Sequence, residues 1–241
     1  MALDELCGHD LLDAHVHLGF ARDPRQVARD AQSRDLALFS VAVTPAEFER
    51  MRQELCGFTL VRQGLGLHPW WVDDGRCTEQ DLERFLGLLG ETSWVGECGL
   101  DFSRRCHDHE TQRAAFRRIC EVVGRQGGKV LSLHAVRSVT CVLDILEATG
   151  CTDSCTCILH WFSGSTEELW RAIRLGCHFS VNEMQARTRR AREQLRLIPE
   201  DRLLFETDLP EGEGADISAE EIARSLMRAR ELAEGIRTRP R

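Results

Sequence analysis

The chain has 241 residues, 42% of them hydrophobic, and its 31 basic and 39 acidic side chains give a net charge of −8. This composition excludes a disordered chain, and the acidic balance argues against a surface that binds nucleic acid or anionic membranes everywhere. No apolar run reaches the roughly 18 residues of a membrane helix, and the first ten residues, with three acidic and no basic side chains, do not resemble a signal peptide. Eleven cysteines without such a signal indicate reduced thiols, so we expect a cytoplasmic protein that does not bind membranes.

Eight short apolar runs rich in Val, Leu and Phe recur along the chain and are typical of buried strands. Charged stretches of helical period separate them, such as the one in which Phe116, Ile119, Cys120 and Val123 share a face. Strand–helix units of about 30 residues, repeated eight times, predict a (β/α)8 TIM barrel. Since the composition shows no break, we expect one domain over residues 1–241. The predicted strands are 11–18, 36–44, 60–69, 94–102, 129–136, 156–163, 178–183 and 203–210.

An open doubly wound sheet fits the same alternation of strands and helices. Its dinucleotide-binding form needs a glycine fingerprint after the first strand. The sequence DAHVHLGF at this position has none, which favours the barrel.

Residues that can bind a metal fall at the carboxyl ends of the predicted strands. Side chains two apart in a strand point to the same side, so the His15 and His17 imidazoles can both face the barrel axis. The carboxyl ends of barrel strands converge on one mouth, where such enzymes place their active sites. Four imidazoles and two carboxylates exceed the needs of one tetrahedral ion, and two divalent ions with a carboxylate bridge fit better. The six residues are His15, His17, Glu97 in the fourth strand, His134 in the fifth, His160 in the sixth and Asp208 in the eighth.

The sequence blocks around these residues resemble the signature blocks of the TatD family of metal-dependent hydrolases, in the family's order. They run from Asp13 to Pro210 as DAHVHLGF, GLHPWW, VGECGLDF, LSLHAV, ILHWFSGS and LLFETDLP. The resemblance implies a (β/α)8 barrel of the amidohydrolase type, and a DNase or exonuclease activity like that of several members.

The resemblance also implies roles for single residues. Asp101 and Glu206 would orient the metal ligands. His68 would reach into the mouth and contact the anionic group of the substrate. The implied ligand assignment is one ion on His15, His17 and Asp208, a second on His134 and His160, and Glu97 as the bridge.

The ligand set predicts hydrolytic chemistry. Two divalent ions, whether Zn²⁺, Mn²⁺ or Mg²⁺, lower the pKa of a shared water and polarise a phosphoryl or carbonyl group. Asp208 is the candidate general base, and Glu97 is the second catalytic carboxylate. Trp70, which follows His68 at the predicted rim, is a candidate for stacking on an unpaired base, but packing under its loop is an equal alternative.

Two departures from the family pattern leave the identity of the substrate undecided. Val136 stands two residues after His134, where the family usually has an arginine, and the nearest guanidinium, on Arg137, falls on the opposite face of a continuing strand. The loop after the eighth predicted strand is also short.

The first interpretation is a nuclease that trims single-stranded DNA or RNA ends. The alternative is a metal-dependent hydrolase of a small ester, lactone or amide, and a non-catalytic binding protein is disfavoured because it has no need of six ligands.

Two other motifs invite functional interpretations. RTRRAR at 187–192 follows the seventh predicted strand, so its start lies near the mouth, where it could hold a phosphate backbone or simply begin a solvated helix. CTDSCTC at 151–157 lacks a C-x-x-C pair and precedes the sixth strand, away from the mouth, which disfavours a zinc or redox site. The oligomeric state stays open.

Overall fold

Eight strands follow one another along the chain in the computed structural model, which describes residues 3–9 and 11–238. They lie in one sheet whose spatial order equals the chain order, and every neighbouring pair is parallel. This topology is that of a (β/α)8 barrel, so the predicted fold class is confirmed. The strands are β1 (Leu11–Val16), β2 (Leu36–Val41), β3 (Val61–Leu67), β4 (Trp94–Asp101), β5 (Val130–Val136), β6 (Thr156–His160), β7 (His178–Val181) and β8 (Leu203–Phe205).

Helices connect successive strands, with two at some connections, and one further helix precedes the first strand and another follows the last. Three single 3₁₀ turns, Leu18–Phe20, Leu89–Glu91 and Glu200–Arg202, complete the described elements. The α-helices are α1 (Asp4–Cys7), α2 (Pro24–Ser33), α3 (Pro45–Glu54), α4 (Pro69–Asp73), α5 (Glu79–Leu88), α6 (His109–Gln126), α7 (Val139–Thr149), α8 (Cys151–Ser154), α9 (Thr166–Arg174), α10 (Glu183–Ala186), α11 (Arg189–Leu195) and α12 (Ala219–Thr238).

Local sequence signals explain where the helices begin and which face they bury. The side chains of Asp23 and Thr44 accept backbone N–H groups at the starts of α2 and α3, and a proline follows each of them. On α6, the predicted apolar face is buried against the sheet, with Phe116 and Ile119 each 1% exposed. Burying such a side chain is worth about 1.5–3 kcal/mol, so this face fixes α6 against the barrel.

The segment after β8 closes the barrel against β1. The Thr207 N–H donates to Asp13 Oδ1 at 3.0 Å, and the Asp208 N–H donates to the His15 carbonyl at 2.9 Å. The His17 N–H returns a bond to the Leu209 carbonyl at 2.7 Å. These bonds bring the first and last strands together at the carboxyl end of the barrel.

Close backbone approach between β4 and β5 depends on Gly99. A Cβ at this position, where φ is +140°, would lie 2.1 Å from the His134 carbonyl oxygen. Glycine therefore lets the two strands carry Glu97 and His134 to the same point of the mouth.

The predicted single domain includes residues 1, 2, 10 and 239–241, which lie outside the described residues. Within the described part of the chain, no helix combines the length and the apolar content needed to cross a membrane.

Candidate metal centre

Four donor atoms from three parts of the barrel converge on one point of the mouth. His15 Nε2 lies 3.3 Å from His17 Nε2, and both nitrogens lie 3.4 Å from Asp208 Oδ1. Glu97 Oε2 is 3.5 Å from His15 Nε2 and 3.4 Å from His17 Nε2. Atoms that each bind a tetrahedral metal at 2.0–2.2 Å are about 3.3–3.6 Å apart. The donor set of His15, His17, Glu97 and Asp208, called set one below, therefore has the spacing of a metal site.

The other oxygen of Glu97 belongs to a second group of donors, called set two below. Glu97 Oε1 lies 2.7 Å from His134 Nδ1 and 2.8 Å from His160 Nε2, and these two nitrogens are 3.4 Å apart. His68 Nε2 approaches the same oxygen at 3.3 Å. The two carboxylate oxygens of Glu97 are thus divided between two adjacent donor sets. In set two His134 and His160 are at hydrogen-bond distance from Glu97, and His68, Glu97 and His134 lie close enough together to hold a metal ion, as do His15, His17 and Asp208 of set one.

Polar side chains lie beside the second ring nitrogens of His15, His134 and His160. Ser132 Oγ lies 2.7 Å from His15 Nδ1, and Asp101 Oδ2 lies 3.0 Å from His134 Nε2. Glu206 Oε1 faces His160 Nδ1 at 3.7 Å, while its other oxygen accepts the Ser180 hydroxyl. Asp101 and Glu206 therefore contact ring nitrogens that face away from Glu97, where the resemblance puts residues that orient the ligands.

The placement of Asp208 in the eighth strand was wrong. β8 ends at Phe205, because the chain pairs with β7 only over Leu203–Phe205 and then turns toward β1. Asp208 lies in the following segment with φ of +58°, a conformation that aspartate tolerates better than most residues. Its carboxylate still reaches set one because its N–H is bonded to His15 on β1.

Burial and charge inside the site favour a divalent cation. Burial lowers the pKa of His17, but hydrogen bonds to Asp208 and Glu97 outweigh this effect and raise it to about 10. Burial raises the pKa of Glu97, but favourable electrostatic interactions with the surrounding histidines and the hydrogen bond with His134 outweigh burial and hold this pKa well below its usual range. Two carboxylates that stay ionised in a buried site attract cations, and a metal ion replaces the protons that the histidines otherwise hold.

His68 lies directly beside the metal donors, with its Nε2 3.3 Å from Glu97 Oε1. It caps α4, where its Nδ1 accepts the Trp70 N–H at 3.1 Å, and only 3% of the residue is exposed. Burial lowers the pKa of His68 to about 4. A neutral His68 whose Nδ1 accepts the Trp70 N–H carries its proton on Nε2, which faces Glu97 Oε1 at 3.3 Å. The contact with an anionic group of the substrate stays a prediction.

A cavity of about 480 Å³ opens above the two sets, and Trp70 lines it as predicted for a rim residue. The Trp70 ring already has several partners. Its Nε1–H donates to Asp101 Oδ2 at 2.6 Å, the Arg105 guanidinium lies 3.7 Å from the ring centroid, and Trp71 stacks beside it. Base stacking by Trp70 stays a prediction. Arg137 is exposed at φ of +55° and does not line the cavity.

Three supporting residues escaped the sequence analysis, although strand alternation could have found two of them. Ser132 precedes His134 by two positions and Asp13 precedes His15 by two, so each points to the same side as a metal-binding candidate. Asp13 accepts the N–H groups of His15 and Thr207 and the Thr207 hydroxyl. Thr207 carried no signal, because its contact depends on how the barrel closes.

The barrel and the two donor sets at its mouth define a metal-dependent hydrolase. A family model described as TatD related DNase matches residues 12–236, so the chain belongs to this family and the predicted resemblance is confirmed. The chain is 28% identical over 198 residues to a "3'-5' ssDNA/RNA exonuclease TatD" of Pantoea vagans, an alignment that covers 79% of this chain and 75% of that protein. It is 29% identical over 209 residues to an "Uncharacterized metal-dependent hydrolase YcfH" of Escherichia coli K12, covering 83% of this chain and 77% of that one.

Solved structures support the fold independently. The crystal structure of YjjV, a TatD homologue of Escherichia coli K12, matches with a TM-score of 0.74 at 23% identity. The match covers 94% of this chain and 93% of that one.

Proposed function

We propose that this chain, as one domain over residues 1–241, cleaves phosphodiester bonds of single-stranded DNA or RNA ends with two divalent ions bound at sets one and two. The observation that carries the proposal is the division of the Glu97 oxygens between two adjacent donor sets. When bound, a pair of Zn²⁺, Mn²⁺ or Mg²⁺ ions supplies an acidified water and polarises the phosphoryl group.

In this proposal the protein's own residues have separate tasks. Glu97 would give each set one of its carboxylate oxygens and share its negative charge between them. Asp208, whose side chain is 23% exposed toward the cavity, accepts the proton of the attacking water and returns it to the leaving oxygen. Asp101 and Glu206 hold the His134 and His160 rings in their ligating orientation.

The nucleic-acid substrate is supported by the name of the Pantoea vagans relative, which describes a single-strand exonuclease, and by the size of the cavity. The cavity falls within the range of pockets that enclose small ligands, about 300–1,000 Å³. It suits one unpaired nucleotide at a strand end better than a duplex. We place the activity in the cytoplasm, since buried cysteines such as Cys98 and Cys177 carry free thiols.

One observation favours the alternative substrate, a small ester, lactone or amide. Among the described residues that line the cavity there is no arginine or lysine, while Glu183 and Glu211 are present. Phosphate recognition inside the cavity would then depend on the metal ions. A small neutral substrate has no such need.

The test compares turnover of 5'- and 3'-labelled single-stranded DNA with turnover of an aryl ester, each with Mn²⁺, Mg²⁺ or Zn²⁺. The proposal expects stepwise shortening of the strand and little ester hydrolysis. Ester turnover without cleavage of DNA or RNA under any metal would replace it with the alternative.

A further inference from the structure

Trp161 offers an open aromatic face inside the cavity. It follows His160 directly, lines the same cavity and is 37% exposed. Among the described residues no ring or guanidinium lies against it, whereas the Trp70 ring contacts Arg105 and Trp71. An uncovered indole at the mouth of a site is available to stack on a planar group of a substrate.

The backbone holds Trp161 in an unusual conformation. Its φ is +42°, in the left-handed region that bulky residues rarely adopt. Its N–H donates to Glu206 Oε1 at 3.1 Å, and the next residue, Phe162, is buried against Phe179. The turn therefore buries the Phe162 ring and leaves the Trp161 ring at the cavity, an arrangement that costs backbone strain and so indicates a functional position.

The loop that carries Trp161 is fastened to the α10–α11 region by three side chains. Gln185 Nε2 donates to the Phe162 carbonyl at 2.6 Å, and Gln194 Nε2 donates to the Gly164 carbonyl at 2.7 Å. Both glutamines are buried. Arg190 donates to the Ser163 carbonyl at 3.1 Å. A loop held at three successive carbonyls presents its tryptophan at little entropic cost on binding.

Two features beside Trp161 suit a nucleotide chain. Met184 is 64% exposed and lines the same cavity, where its flexible thioether can pack against a base. Arg190 is exposed, and its guanidinium donates to the Ser163 carbonyl rather than to a carboxylate, so its positive charge is not neutralised by that contact. The described residues that line the cavity include no arginine or lysine, and Arg190 lies beside it through its bond to Ser163, two residues after Trp161.

We propose that Trp161 is the platform on which the unpaired base next to the scissile phosphodiester stacks, and that Arg190 contacts a phosphate further along the same strand. The inference rests on the proposed function and names how its substrate is recognised. Stacking needs a base face that is free of a neighbour, which a single strand offers and a duplex does not. The arginine-rich segment 187–192 would thus act through one residue, Arg190.

The experiment measures binding of a fluorescent single-stranded DNA by anisotropy in EDTA, where metal-dependent cleavage stops, and KM for the same strand with Mn²⁺. Base stacking on an aromatic side chain is worth a factor of about 5 to 150 in affinity. We expect Trp161→Ala to raise Kd and KM by such a factor. Trp161→Phe keeps an aromatic ring and should retain most of the affinity. Trp170→Ala is the matched control, because Trp170 is an exposed tryptophan on α9 that does not line the cavity.

A change in the DNA gives a second measurement that needs no variant. An abasic residue at the stacked position should weaken binding to the unchanged protein, and should abolish most of the effect of Trp161→Ala. The proposed contact between Arg190 and a phosphate is tested by the salt dependence of binding. Arg190→Ala should lower the slope of log Kd against log salt concentration by about 0.7. Arg192→Ala is its control. Arg192 lies about 200° around α11 from Arg190 and lines a different surface pocket, between α11 and α12.

The outcomes separate this inference from the proposed function. If the unchanged protein cleaves single strands while Trp161→Ala and the abasic strand keep normal Kd and KM, the platform is refuted and the proposed function stands. If the protein turns over only the aryl ester, the proposed function fails and the platform for a base fails with it.

Discussion

Removing the carboxylate of Glu97 should have a larger effect on metal content than removing the charge of Asp208. Glu97 supplies one oxygen to set one and the other to set two, at 3.4–3.5 Å and 2.7–2.8 Å from the histidine nitrogens. Asp208 contacts set one only. Glu97→Ala should therefore empty both sites. Asp208→Asn keeps an oxygen that can bind a metal, so it should lower the occupancy of one site and leave the other.

The kinetic effect of Asp208→Asn should fall on kcat. Loss of a general base slows the chemical step by about 10²–10⁴, or about 2.7–5.4 kcal/mol. KM should change little, because the base acts in the transition state.

The measurement is metal stoichiometry by mass spectrometry together with kcat for both variants. Asp216→Asn is the control, since Asp216 is an exposed carboxylate in the same segment after β8 and pairs with Arg22. Near-normal turnover by Asp208→Asn would show that another group is the base. Equal metal loss in both variants would refute the bridging geometry.

Three further predictions test the surroundings of the site. Complete chelation, checked by metal analysis, should abolish hydrolysis, and Mn²⁺ or Zn²⁺ should restore it; full activity of the metal-free protein would refute a metal centre. Asp101→Asn should weaken metal binding about 10–100-fold in a competitive titration because Asp101 orients His134; unchanged affinity would make Asp101 a structural residue only. Trp70→Ala removes the ring and its bond to Asp101 and should lower the free energy of unfolding by at least about 1.5 kcal/mol in denaturant titration, with normal single-strand affinity; lost affinity with unchanged stability would assign base stacking to Trp70.

The fold could be predicted because its signal is repeated eight times. Each predicted apolar run contains one strand, but seven of the eight strands end earlier than their runs, as β6 does at His160 and β8 at Phe205, and only β5 ends with its run at Val136. The difference has a physical cause. At the mouth the chain leaves the sheet to begin a loop, while the apolar or metal-binding pattern of the sequence continues.

The candidate site could be predicted where strand alternation controls the side chains. His15 and His17 are two positions apart, and their Nε2 atoms lie 3.3 Å apart in the structure. The barrel symmetry then predicts that His134 and His160 reach the same mouth. Asp208 shows the limit of this reasoning, because its position depends on a hydrogen bond to β1 across the whole length of the chain.

The substrate-facing residues could not be predicted in the same way. Trp70 and Trp161 each follow a histidine of the candidate site closely, and the sequence analysis singled out Trp70 because it follows His68 at the predicted rim. Their exposure is decided by contacts between distant elements, namely Arg105 and Asp101 around Trp70 and the fastening of the Trp161 loop to α10 and α11. No local pattern encodes such contacts.

Glu206 joins the metal centre to the proposed platform. Its Oε1 accepts the Trp161 N–H at 3.1 Å and faces His160 Nδ1 at 3.7 Å, and it is fully buried. One carboxylate therefore sets both the turn that exposes the tryptophan and the environment of a metal-binding candidate. The donors of both sets come mainly from buried strand ends, whereas Trp161 comes from a loop. Its bond to Glu206 is made by the backbone N–H, so substitution of the indole ring leaves that bond intact. Substrate preference can thus change at Trp161 without rebuilding the centre that performs the hydrolysis.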